Sequence, residues 1–416
     1  MDTRRAPEWW ISTPAAAEAF LRGLKGVEVF EIGRSAGDRP ILAGAWGARE
    51  ELPGRTSRSL SAAIAGGSPA AFYGRGRRRR QSFVYLGAAH AIEFEGSVAA
   101  LHLLNIAVTG RDLRGRRWPR LAAAARQLRL VVIPFYNIDG RQRIAWHRHS
   151  IGVAPAAYGQ LSLGVRKDGQ PLQWPDFKRE YPVNPADYAF LGAAFNDNGY
   201  NLVYDCGLAE EPQPETQGLL RFLRTERPDC VLCGHSNSGS LVESGPLATI
   251  PERFLRRTAQ FCGAVSQRCL REGFEVSTLT EADDRGGSYA CFYQTDMIYH
   301  CCGALPVVAG LSSTRGMNMQ RRFVVPNLLT IALALGFILV AAASPGAFYA
   351  IVEAEAMQLT GDWRVAADKE GHCPSASVGP PPLARRTPGG SVAWLITSGR
   401  RRSRTRGRWP APARST

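Results

Sequence analysis

Between Asp296 and Glu353 the chain contains no acidic residue. Whatever chemistry that stretch joins, it brings no carboxylate of its own as base or ligand. No apolar h-region lies within Met1 to Trp10, so a secretory signal is not expected and a cytoplasmic location is. Cysteine is sparse: nine residues, odd in number, scattered through 416. A chain this long does not depend on a disulfide scaffold, and the thiols read as reduced. Acids are short near the C-terminus, where 11 basic residues face two acidic ones from Trp363 onward. That tail and the run Arg75 to Arg80 lack an aromatic-studded binding motif. No nucleic-acid partner is expected, and both runs read as solvated chain. Residues 371–416, with Pro-Pro-Pro, Gly-Gly and arginine runs, read as a disordered basic tail.

What is present suits one large α/β domain with additions. Thr13 to Leu24 reads as an amphipathic helix opened by Ser12 or Thr13. Val27 to Ile32 and Ile41 to Trp46 read as strands about the turn Ser35 to Pro40, a hairpin signal. Glu50 to Arg80, rich in Gly, Ser and Arg, reads as a long surface connection. Phe83 to Leu86 is an apolar strand, Ser97 to Asn105 a helix, and Leu128 to Pro134 a second apolar strand. Strand, helix, strand in that order argues for a βαβ unit in a largely buried sheet. Arg141 to Asn198 reads as an irregular, elaborated loop region. Glu215 to Arg224 reads as a helix and Asp229 to His235 as the strand after it.

His90 and Glu93 stand three residues apart where the Phe83 strand gives way to its helix. His235 ends the later strand. In open α/β sheets ligands gather at the carboxyl ends of strands. Two ligands close in sequence plus one distant leave a fourth position for water, the pattern of a catalytic zinc site. Read alone, the pair also fits a polar contact at a strand–helix junction, and His235 a core histidine. Cys230-Val231-Leu232-Cys233 does not read as a metal or redox pair, because residues three apart on a strand face opposite ways. Cys301-Cys302 reads as structural too. Glu95 is expected on the helix exterior, and Glu211 and Glu215 as first-turn helix charges.

Further pieces accompany these residues in a fixed order. They are Gly37-Asp38-Arg39-Pro40-Ile41, Gly87-Ala88-Ala89-His90-Ala91-Ile92-Glu93, Pro134-Phe135-Tyr136-Asn137-Ile138-Asp139-Gly140 and Gly199-Tyr200-Asn201-Leu202. Glu211-Pro212-Gln213-Pro214-Glu215-Thr216, Gly234-His235-Ser236, Gly286-Gly287-Ser288 and Ala304-Leu305-Pro306-Val307-Val308 follow. With this order the chain resembles the zinc carboxypeptidases of the carboxypeptidase A superfamily, over roughly Ile32 to Arg315. The resemblance implies a three-layer α/β/α fold around a central mixed, largely parallel sheet, spanning 13–343. It implies zinc on His90, Glu93 and His235, a metal-activated water, and a peptide or small amide substrate.

The chain departs from that pattern at three places. The family's general-base Glu belongs on the strand after the Leu-Pro turn, and Leu305 to Ser313 has none. Glu281, Asp283 and Asp284 are the nearest acids in sequence that can stand in for it. The family's Asn-Arg clamp for the substrate carboxylate reads Val203-Tyr204 here, leaving Tyr204 as a hydrogen-bond donor. Arg148, or Arg143, is the counterpart of the carbonyl-polarising arginine. These departures keep two further readings open: a catalytically impaired zinc- or ligand-binding relative, and a zinc amidase or deacylase of small acyl amino acids. Residues 323–343 are uncharged. They read as the large buried helix that closes the family's sheet, or as a membrane span with Arg321-Arg322 marking its cytoplasmic side.

Overall fold

A computed structural model describes residues 7–50, 80–144, 155–173, 176–206, 210–235 and 294–310, with short pieces at 364–366 and 377–379 and single positions at 64, 260 and 263. The chain divides into two units, Met1–Ala343 and Ser344–Thr416. In the second, the described strands Arg364–Ala366 (β9) and Ser377–Gly379 (β10) pair antiparallel.

The first unit opens with α1, Pro14–Gly23. Thr13 caps it, its hydroxyl accepting the Ala16 N–H at 3.3 Å, and Pro14 takes the first turn, where a missing N–H costs nothing. Ala17 and Leu21, four apart, form its buried stripe. The hairpin follows as read: β1, Val27–Arg34, antiparallel to β2, Pro40–Trp46. The Ser35 N–H donates to Arg39 O at 2.9 Å across its turn.

Five more elements follow: β3 (Ser82–Gly87), α2 (Glu95–Thr109), α3 (Pro119–Arg126), β4 (Arg129–Ile133) and α4 (Ile138–Gln142). Beyond them come α5 (Pro155–Leu163), β5 (Gly164–Arg166), β6 (Tyr188–Leu191), α6 (Pro214–Glu226), β7 (Cys230–His235), α7 (Gln294–Cys302) and β8 (Leu305–Gly310). The strand order is β1-β2-β4-β3-β7-β8. The two pairings at the hairpin edge are antiparallel and the three that follow are parallel. The sheet is therefore mixed and largely parallel.

Helices cover both faces. Val84, Leu86, Val131, Ile133, Val231 and Cys233 pack with Leu219, Phe222 and Leu223 of α6 and with Met297 and Ile298 of α7. The alternate β3 side chains, Phe83 and Tyr85, point to the other face, where α2 lies across β2, β3, β4 and β7. This is the three-layer α/β/α arrangement. α6 packs on β1 with backbone nearly touching backbone. A Cβ added at Gly33 would lie 2.9 Å from Gly218 Cα, so neither position has room for a side chain. Burying α2 on nearly every side accounts for its lack of a polar stripe.

Several expectations change. Arg141 to Asn198 is not wholly irregular: β5 and β6 pair antiparallel over a small core of Leu172, Phe177, Val183, Tyr188 and Phe195. Those apolar residues are unevenly spaced, so no period announces them. α7 has no counterpart in the sequence reading. Glu95 is not on the helix exterior; it is 1% exposed. Cys230 and Cys233 do face opposite ways, Cys233 rather than Cys230 joining the α6–α7 core, and the five described cysteines are buried. Glu281, Asp283, Asp284, Arg148 and most of the 50–80 connection lie outside the described residues, as do 323–343. Among the described residues no helix is long and apolar enough to cross a membrane.

Candidate metal centre

β3 and β7 are neighbours in parallel register, with Gly87 opposite Gly234. Their exits therefore open at one edge of the sheet. His235 is the last residue of β7, and His90 follows β3 by three residues. A Cβ at Gly234 would lie 2.0 Å from the Tyr85 hydroxyl on β3, so any side chain there has to displace that ring.

The loop between β3 and α2 is pinned from two sides. The Tyr136 N–H donates to Gly87 O at 2.9 Å, and the Asn137 N–H to Ala88 O at 3.1 Å. The Ala91 N–H donates to Ala193 O at 3.1 Å. Ala88 sits at φ 54°, a left-handed conformation costing roughly 1–2 kcal/mol for a residue with a Cβ. Those hydrogen bonds hold it there. Finally the Glu93 N–H donates to His90 O at 2.9 Å, a turn that brings the two side chains together.

Glu93 lies between the two imidazoles. His90 Nδ1 stands 3.3 Å from Glu93 Oε1, and His235 Nδ1 stands 2.9 Å from Glu93 Oε2. The two rings meet edge-on with centroids 5.0 Å apart. One donor atom from each residue lies within 4.8 Å of the other two. The Glu93 side chain is 9% exposed, His235 15% and His90 24%, so the set is sunk but reachable. Burial alone would push the Glu93 carboxyl up. The His90 and His235 imidazoles outweigh it and hold Glu93 well below the usual carboxylate range. Burial pulls the His90 imidazolium down, and the charge and hydrogen bond of Glu93 more than offset that, leaving it above its ordinary value. An anionic carboxylate between two nitrogens is a donor set that suits zinc. Asn201 joins the set from the turn beyond β6, its amide 3.3 Å from His90 Nε2.

Three of the other sequence motifs meet one another at buried carboxylates. Asp139, fully buried, accepts the Gly37 N–H at 3.0 Å and the Asp197 N–H at 3.1 Å, and pairs with Arg39 at 2.7 Å. Glu215 is a first-turn residue of α6 as expected, but it is also fully buried. It accepts the Ala36 N–H at 2.9 Å and the Asn196 amide at 3.2 Å. Burial, with the Asp139 charge adding to it, pushes Glu215 up to about 7. The hairpin turn, the Asn137–Gly140 turn and α6 are thus tied at one buried polar knot.

Of the expected substrate contacts, Arg143 and Tyr204 are among the described residues. Arg143 donates to Phe195 O and faces Asp197 at 3.7 Å. The Tyr204 ring lies among aromatic side chains, its centroid 6.0 Å from Phe177 and 5.8 Å from Tyr181, with Lys178 Nζ 5.6 Å away. Asn201 belongs to the Gly199-Tyr200-Asn201-Leu202 motif, and the sequence alone assigns it no role. The signal was there, since a histidine ligand needs a partner for its second nitrogen.

Comparison with known proteins bears on the same region. The zinc carboxypeptidase family model matches residues 25–246. Among solved structures the chain is similar to a metallo-carboxypeptidase from Burkholderia cenocepacia, at 14% identity over 80% of this chain and 70% of that one, TM-score 0.47. It is also similar to carboxypeptidase A from Helicoverpa armigera, at 15% identity over 82% of this chain and 76% of that one, TM-score 0.44. Comparison with curated proteins gives no match.

Proposed function

The chain belongs to the zinc carboxypeptidase family, and from that premise we propose that it hydrolyses peptide or amide bonds with zinc held by His90, Glu93 and His235. The observation that carries this reading is the convergence of those three side chains within 4.8 Å at the exits of two parallel strands. Zinc in such a site supplies a water of lowered pKa and polarises the scissile carbonyl.

The chain's own residues do the rest. Glu93 stays ionised and fixes both rings. Asn201 meets the far nitrogen of His90. Arg148 and Tyr204 are the proposed substrate contacts, and Glu281, Asp283 or Asp284 the proposed stand-ins for proton transfer. The backbone bonds to Tyr136, Asn137 and Ala193 keep the loop in place.

A second reading has one observation in its favour. β8 lies beside β7 with Gly310 opposite His235, and no residue of Leu305–Gly310 is acidic. A relative that binds metal or ligand without turnover would have this strand. Proton transfer by a positioned carboxylate is worth about 10²–10⁴-fold, so its loss would leave little activity.

Metal analysis of the purified chain, with peptides and N-acyl amino acids as substrates, tests both. About one zinc per chain, lost in His90→Ala, with chelator-sensitive turnover supports the hydrolase. Zinc without turnover on any substrate supports the second reading. Absence of zinc in the wild type, or zinc unaffected by His90→Ala, removes both.

A further inference from the structure

Asn201 is 2% exposed and its amide has two commitments. Oδ1 accepts the Val203 N–H at 3.1 Å, closing a local turn. The other end, Nδ2, stands 3.3 Å from His90 Nε2. The backbone beneath is fixed, since the Tyr181 hydroxyl donates to Asn201 O at 3.1 Å. A primary amide has one acceptor oxygen and one donor nitrogen. With the oxygen turned to Val203, His90 Nε2 meets a donor. A neutral imidazole facing a donor at Nε2 offers its lone pair there and carries its proton on Nδ1. Nδ1 is the nitrogen that faces Glu93. A proton there suits the bare His90–Glu93 pair, but it occupies the lone pair a metal needs. Ligating histidines ordinarily donate their second N–H to an acceptor; Asn201 presents the opposite polarity.

We infer that Asn201 is a positioning residue that biases His90 towards the Nδ1–H tautomer and so holds the metal affinity of this site down. The consequence for metal rests on the reading of His90, Glu93 and His235 as zinc ligands. For His90 to ligate through Nδ1, the amide has to turn over and leave the Val203 N–H without its acceptor, or stay and face a second donor. An aspartate at 201 removes the conflict, because one oxygen can accept from Val203 N–H and the other from His90 Nε2–H. Alanine removes the opposing donor and supplies no acceptor.

Two measurements on the full chain test this. Long-range ¹H–¹⁵N NMR of the metal-free protein, at a pH where the rings are neutral, reads the His90 tautomer directly. Competition with a chromophoric chelator reads zinc affinity in the wild type, Asn201→Asp and Asn201→Ala. The expected tautomers are Nδ1–H in the wild type and Nε2–H in Asn201→Asp. Zinc binding is expected to tighten about 10- to 100-fold in Asn201→Asp and to be no weaker than wild type in Asn201→Ala. Three results overturn the inference: Nε2–H in the wild type, no tightening in Asn201→Asp, or a tenfold loss in Asn201→Ala. The alanine variant separates hydrogen-bond polarity from the added charge of the aspartate. Failure of the zinc assignment shows differently, as a wild-type zinc affinity that His90→Ala leaves unchanged; that result overturns the consequence for metal, while the tautomer is read without metal.

Discussion

Glu215→Gln should make the stability of this protein less dependent on pH. Glu215 is fully buried, and burial raises its pKa from the ordinary 4.5 to about 7. A raised carboxyl pKa means that the folded state binds the proton more tightly than the unfolded chain. Between those two values the folded state holds more protons, so stability falls as pH rises, and above about 7 the full cost of burying the charge applies. The whole shift corresponds to roughly 3 kcal/mol, of which about 2–3 kcal/mol develops between pH 5 and pH 8. Glutamine has no charge to bury. It can keep the Ala36 N–H bond, while its NH₂ meets the Asn196 NH₂ at a cost of about 1 kcal/mol that pH does not alter. The assay is urea unfolding of both proteins at pH 5 and pH 8. Relative to wild type, Glu215→Gln should gain about 2–3 kcal/mol on going from the lower pH to the higher. Equal effects at both pH values would refute the reasoning. They would mean that the hydrogen bonds from Ala36 and Asn196 keep Glu215 ionised throughout.

Gly234→Ala should destabilise the fold by about 1–3 kcal/mol, because the new methyl overlaps the Tyr85 hydroxyl. Thermal or urea unfolding measures it, and Tyr85→Phe in the same chain should restore part of the loss; no rescue would place the strain elsewhere. Gly310→Glu puts a carboxylate opposite His235 in the β7–β8 register. If missing proton transfer limits turnover, hydrolysis of peptide substrates should rise by about 10²–10⁴-fold, and an unchanged rate would show that another group serves.

Much of the frame was legible because its signals are local. The 3.6-residue period of Pro14–Gly23, the alternation around the hairpin and the short apolar runs Ser82–Gly87 and Arg129–Ile133 need no distant partner to be read. The metal-centre candidates were legible for a related reason: strand exits in a parallel sheet gather on one edge, so a histidine at each of two exits is a spatial statement made in one dimension. The β5–β6 hairpin and α7 escaped. The first has irregular apolar spacing, and the second is a nine-residue segment buried on nearly all sides with little amphipathic contrast.

The side chains that changed meaning are the ones whose partners are remote in sequence. Nothing near Glu95 says that it is buried, and nothing near Glu215 says that it sits against Ala36, 179 residues away. The motifs around Arg39, Asp139 and Glu215 could be recognised as a series, but only their packing shows that they are tied together at one buried polar knot, beside the Tyr136–Asn137 backbone that holds the loop carrying His90 and Glu93. Likewise the choice of Asn at 201 is visible in the sequence, whereas its competition between Val203 and His90 exists only once a turn beyond β6 is folded back to the exit of β3. Residue type and local period determined most of the elements, the candidate ligands and the missing acid of β8. Strand pairing and burial decided charge state, tautomer and neighbour, because desolvation and hydrogen-bond polarity depend on groups that the chain brings together only in three dimensions.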